Sequence, residues 1–153
     1  MSGHRRTQRG SKPGAPGKDT EAQSAEIFSL LADAPHVMLE DGQVLFTEGD
    51  PPNWMYVVKS GALRIRSGGV IYEDVRPGGI VGEMALVEHY PARSATVYAL
   101  IDSELLAVDE ARFKALVAAA PYFALRVMRV LSRRLRAMDR RYRPEPLTAR
   151  ERL

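Results

Sequence analysis

Residues 54–81 read WMYVVKSGALRIRSGGVIYEDVRPGGIV. Short apolar runs, Trp54–Val58, Leu63–Ile65, Val70–Val75 and Ile80–Val81, are separated by Ser60-Gly61, Gly68-Gly69 and Pro77-Gly78-Gly79. Each separator is turn chemistry, since glycine reaches backbone angles closed to other residues and proline cannot donate to a strand ladder. Leu63-Arg64-Ile65-Arg66 alternates apolar with charged, the pattern of a strand with one wet face. The same texture extends outward. Val37–Leu39 and Val44–Phe46 lie upstream around Asp41-Gly42, with Gly49-Asp50-Pro51-Pro52 closing that side, and Ala95–Leu100 and Leu105–Val108 lie downstream. Eight short strands with no long helix between them predict a closed or two-sheet antiparallel β structure and argue against a parallel α/β sheet.

Helical periodicity frames this β region. Thr20 and Gln23 have the spacing of a capping box, Ile27, Leu30 and Leu31 form an apolar stripe, and Pro35 ends the helix at Ala34. After Val108, Asp109 is the expected N-cap of a helix whose Phe113, Leu116, Val117 and Ala120 share a face. Pro121 breaks that helix and can open the next, expected over Tyr122–Tyr142. There Ala124, Met128, Leu131, Leu135, Met138 and Tyr142 recur at alternating spacings of four and three, a coiled-coil seam. A second stripe, Phe123, Val127 and Val130, is free to pack on the chain's own strands. With two usable faces, a symmetric homodimer through Met128, Leu131, Leu135 and Met138 is favoured over a monomer. Arg133, Arg134, Arg136, Arg140 and Arg141 cluster towards the end of the helix, where cations suit its dipole.

Composition narrows the function. At 153 residues, 45% hydrophobic and 27% charged, the chain fits one globular domain. It has no cysteine, which excludes disulfides, thiolate metal sites and a cysteine nucleophile and suits a reducing, cytoplasmic setting. No apolar stretch approaches the ~18 residues of a membrane span. His4, His36 and His89 lie too far apart in sequence for a metal motif, and neither a Gly-x-Ser-x-Gly elbow nor a Walker loop occurs. The net charge of +3 divides into +5 over residues 1–18, −9 over 19–121 and +7 over 122–153. Residues 1–19 are expected to form a disordered basic tail, 20–142 the folded domain and 143–153 a short flexible tail.

Residues 77–97, PGGIVGEMALVEHYPARSATV, carry the chemistry. Gly82-Glu83-Met84-Ala85-Leu86 is a glycine followed by helix formers between two strands, so its first amides are available to an anion. Arg93 adds a guanidinium fork and Ser94 a hydroxyl, a set that matches the oxygens of a phosphate. Glu83 repels a phosphate and suits a sugar hydroxyl on the same ligand. Taken alone, an Arg and a Glu more often pair with each other or lie solvated than form a binding site.

Residues 82–97, GEMALVEHYPARSATV, resemble the phosphate-binding cassette of cyclic nucleotide-binding domains, as in catabolite-activator proteins and protein kinase A regulatory subunits. The resemblance extends to Gly42–Asp50, Met55–Gly61 and Leu105–Leu135. It implies a mainly β fold, an eight-stranded antiparallel β-roll of jelly-roll type with an N-terminal helix and two C-terminal helices. It further implies that Glu83 binds the ribose 2′-hydroxyl and Arg93 the cyclic phosphate, with Gly82, Met84, Ala85 and Ser94 completing the cradle. Val81 stands where the family often carries Phe, and Met138 and Asp139 stand where catabolite-activator proteins read the base. Cyclic AMP and cyclic GMP both remain open as the ligand, with cyclic AMP favoured, and no other cofactor is implied. Fourteen residues follow Asp139, Pro144 and Pro146 among them, so no helix-turn-helix is expected and the output passes to an unknown effector protein. A dimerising interaction protein without ligand, or nucleic-acid association through the basic tails, are the alternative readings; none of the three is an enzyme.

Overall fold

The computed structural model describes residues 18–87 and 91–141, with side chains over 20–87 and 91–137. Residues 1–17 of the tail expected over 1–19, the whole tail expected over 143–153, His4, His89, Tyr142 and the side chains of Met138 and Asp139 lie outside these limits, while Lys18 and Asp19 belong to the first helix. The elements run α1 (Lys18–Leu30), β1 (His36–Leu39), β2 (Val44–Phe46), β3 (Met55–Ser60), β4 (Leu63–Ser67), β5 (Val70–Val75), β6 (Ile80–Val81) and α2 (Met84–Val87). They continue with β7 (Thr96–Ala99), β8 (Ser103–Val108), α3 (Glu110–Ala119) and α4 (Pro121–Arg141).

Every strand pair is antiparallel, in two four-stranded sheets of order β1-β8-β3-β6 and β2-β7-β4-β5, the expected β-roll with flanking helices. The first sheet is a shared wall. Tyr56 and Val58 of β3 and Leu105 and Ala107 of β8 face the second sheet, while Met55, Val57, Leu106 and Val108 face the helices. Both faces are therefore dry, which is why these strands read as unbroken apolar runs. β4 has one wet face, with Leu63 and Ile65 buried and Arg64 turned outward to pair with Asp74 of β5. In β6 adjacent residues part company: Ile80 joins the helix-side core and Val81 the core between the sheets.

Gly61 makes the β3–β4 turn possible. Its φ is +90° and the Asp102 carbonyl would stand 2.6 Å from an added Cβ, so only glycine fits. Asp109 caps α3 as expected, its carboxylate accepting from the Arg112 N–H at 2.8 Å. Phe123, Val127 and Val130 of α4 are buried against the β-roll, and Phe123 meets Phe113 edge-on at 6.0 Å.

Two local expectations change. α1 begins at Lys18, so Thr20 and Gln23 lie inside the helix rather than capping it. Their work is to receive Arg126 of α4, through the Thr20 carbonyl at 3.4 Å and Gln23 Oε1 at 3.3 Å. Leu30 is 41% exposed, because the inward stripe runs through Ile27 and Leu31 to Ala34.

Candidate functional site

A cavity of about 450 Å³ lies between β4–β7, α2 and α4, and Gly82, Glu83, Met84, Ala85, Arg93 and Ser94 all line it. Those six side chains and backbones thus come together in one place. Gly82 follows β6 with φ +75°, and a Cβ there would stand 2.7 Å from Arg93 Nη1 and 3.1 Å from the Trp54 carbonyl. The left-handed backbone and the crowding both favour glycine. α2 is a single turn in which the amides of Leu86 and Val87 donate to the Glu83 carbonyl at 3.0 Å and that of Ala85 to the Gly82 carbonyl at 3.2 Å.

Arg93 is only 5% exposed. Its Nη2 donates to Asn53 Oδ1 at 2.7 Å and to the Trp54 carbonyl at 2.8 Å, and Nη1 reaches the Gly82 carbonyl at 3.4 Å. The guanidinium carbon stands 4.0 Å from the centre of the Phe46 ring, a cation–π contact. Nε is buried with no partner, and among the described residues no carboxylate forms an ion pair with Arg93. Burial holds its pKa below the ordinary arginine value, with Tyr56, Asp50 and Glu83 acting the other way. The Ser94 hydroxyl donates to Met84 Sδ at 3.3 Å.

Glu83 and Arg93 do not pair with each other, although both are buried. Glu83, 3% exposed, accepts from Arg134 Nη1 at 2.5 Å. Arg134 also donates through Nε to Glu73 Oε2 at 2.9 Å and through Nη2 to the Ile80 carbonyl at 2.8 Å, while Arg133 reaches Glu73 Oε1 at 3.0 Å. Burial opposes the charge on Arg134, but Glu83 and Glu73 outweigh it and raise its pKa.

Sequence reasoning missed Phe46, Asn53, Glu73 and the inward direction of Arg134. A signal for Arg134 was present: the buried stripe of Phe123, Val127 and Val130 continues at the same spacing to Arg134 and Ala137, both of which line the cavity. The seam read for dimerisation is mixed. Met128 and Leu135 are 59% and 61% exposed, whereas Leu131 is partly buried against the helix-side core. Among the described residues no group of three or more His, Asp or Glu side chains could hold a metal, and no single helix is long and apolar enough to cross a membrane.

Residues 36–120 match the family model described as cyclic nucleotide-binding domain. A cyclic AMP receptor protein of Thermus thermophilus is 33% identical over 103 residues, which are 64% of this chain and 47% of that protein. A lysophospholipase of Neurospora crassa is 29% identical over 106 residues, 66% of this chain but 7% of that one. The chain thus spans less than half the length of either curated relative. The crystal structure of Thermus thermophilus catabolite activator protein superimposes with a TM-score of 0.63 at 32% identity, over 75% of this chain and 56% of that one.

Proposed function

Because the chain belongs to the cyclic nucleotide-binding domain family, we propose that its cavity takes up a cyclic nucleoside monophosphate and that uptake shifts α4 to regulate a partner protein. The observation that carries ligand binding is the buried Arg93 with no ion-pairing carboxylate and an unpartnered Nε. A buried cation is costly unless an anion or enough acceptors surround it, and a phosphate supplies both. Around the cavity Arg93, Arg133 and Arg134 face Glu73 and Glu83, which leaves one positive charge. That matches the single negative charge of a cyclic phosphodiester.

In this reading the backbone of Gly82, Met84 and Ala85, with Arg93 and Ser94, holds the phosphate, and Glu83 takes the ribose 2′-hydroxyl. The long Ala85 to Gly82 hydrogen bond is one that a charged acceptor can displace. Cyclic AMP is the favoured ligand, supported by the relative named a cyclic AMP receptor protein. The role is sensing rather than catalysis.

Arg134 gives the output a physical basis. It ties α4 to the same carboxylate that would receive the ribose hydroxyl, so ligand and helix share one acceptor. Occupancy then changes the relative free energy of the helix positions, the differential interaction that any switch requires. Pairing of two copies through α4 is supported by the exposed Met128 and Leu135.

Calorimetric titration of purified protein with cyclic AMP and cyclic GMP tests the reading. Arg93→Ala should weaken binding at least about tenfold, since it deletes the main counter-charge of the phosphate. Equal affinity in that variant would remove the site assignment.

A further inference from the structure

Among the methionines whose side chains the structure describes, Met84 sits where no other does. Met55 is fully buried in the helix-side core, and Met38 and Met128 stand 68% and 59% exposed on the outer surface. Met84 instead lines the cavity beside Arg93, partly exposed, with the Ser94 hydroxyl donating to its Sδ at 3.3 Å. A thioether is a weak acceptor, so this hydroxyl is held loosely and remains available to a stronger one. Oxidation alters that balance at a single atom. A sulfoxide is polar, its oxygen is a strong acceptor, and the change is reversed by methionine sulfoxide reductases.

We propose that Met84 is a peroxide-sensitive modification site whose conversion to the sulfoxide closes the cavity to nucleotide. The inference rests on the nucleotide-binding reading. In the reaction a sulfur lone pair attacks one oxygen of hydrogen peroxide. The S–O bond forms as the O–O bond breaks, the departing hydroxide takes the proton from the new S–OH group to leave as water, and the thioether is oxidised by two electrons as the peroxide is reduced. The new oxygen carries partial negative charge and is attached to the atom on which the Ser94 hydroxyl already rests. It therefore captures that donor and sets a negative dipole in the cradle that must receive a phosphate.

The experiment uses the whole chain, treated with hydrogen peroxide and then desalted. Oxidation is mapped residue by residue by peptide mass, and cyclic AMP and cyclic GMP binding is measured before and after treatment. Treated protein should carry one added oxygen on Met84 and bind at least about tenfold more weakly, with methionine sulfoxide reductase restoring affinity. Met38→Leu combined with Met128→Leu should leave this loss intact, because neither side chain lines the cavity. Met84→Leu, judged against its own untreated affinity, should lose sensitivity to peroxide. Oxidation of Met38 and Met128 while Met84 stays unmodified overturns the inference, as does a Met84 sulfoxide that binds as tightly as untreated protein. Untreated protein that binds neither nucleotide overturns the functional reading itself, and this inference with it.

Discussion

Gly82 shows how one missing side chain determines a site. Its positive φ and the 2.7 Å that separates a notional Cβ from Arg93 Nη1 make two separate demands, one on the backbone and one on space. Gly82→Ala should cost roughly 1–2 kcal/mol for the left-handed conformation alone. It should also push the guanidinium off Phe46 and weaken nucleotide binding. Denaturant unfolding and calorimetry measure the two effects separately, and wild-type affinity in the variant would mean that Arg93 tolerates displacement. At this scale the sequence was legible where a motif spoke: Glu83, Arg93, Ser94 and the cassette glycine all line one cavity. It was silent on Asn53 and Phe46. These are 40 and 47 positions from Arg93 in the chain, and only the folded β-roll brings an amide oxygen and an aromatic face against the same guanidinium.

Among the elements, strands were easier to read than the long helix. Gly42, Gly49, Gly61, Gly68 and Gly78 all adopt positive φ in the turns between strands, so punctuation alone bounded β2, β5 and β6 to the residue. Helix α4 is ambiguous because it is apolar on more than one side. The arginines near its end satisfy a dipole argument from any direction, which hid that Arg134 turns inward while Arg133 sits at the rim. Arg134→Ala leaves Glu83 buried without its cation, and removing one member of a buried pair costs about 3 kcal/mol or more. The expected result is a lower melting temperature and faster amide exchange over residues 131–137. Unchanged exchange there would show that α4 is held by its apolar stripe alone.

At the scale of the whole molecule, the exposed Met128 and Leu135 sit on the outer side of α4 while Phe123, Val127 and Val130 pack inward. Two copies that pair through the outer side should separate when Met128→Glu and Leu135→Glu are combined, because like charges would then face each other across the seam. Sedimentation should record a halving of mass with the far-ultraviolet spectrum unchanged; a wild-type chain that already sediments as a monomer would exclude the pairing. The design of the β-roll bears on how such a molecule transmits anything. Ile80 and Val81 are neighbours in sequence, yet one is wedged among helices and the other helps to line the cavity. Only a strand's thickness divides the chamber from the machinery outside it. One strand thus carries one side chain into the chamber and the next into the helix packing, which makes it the shortest physical link between the two.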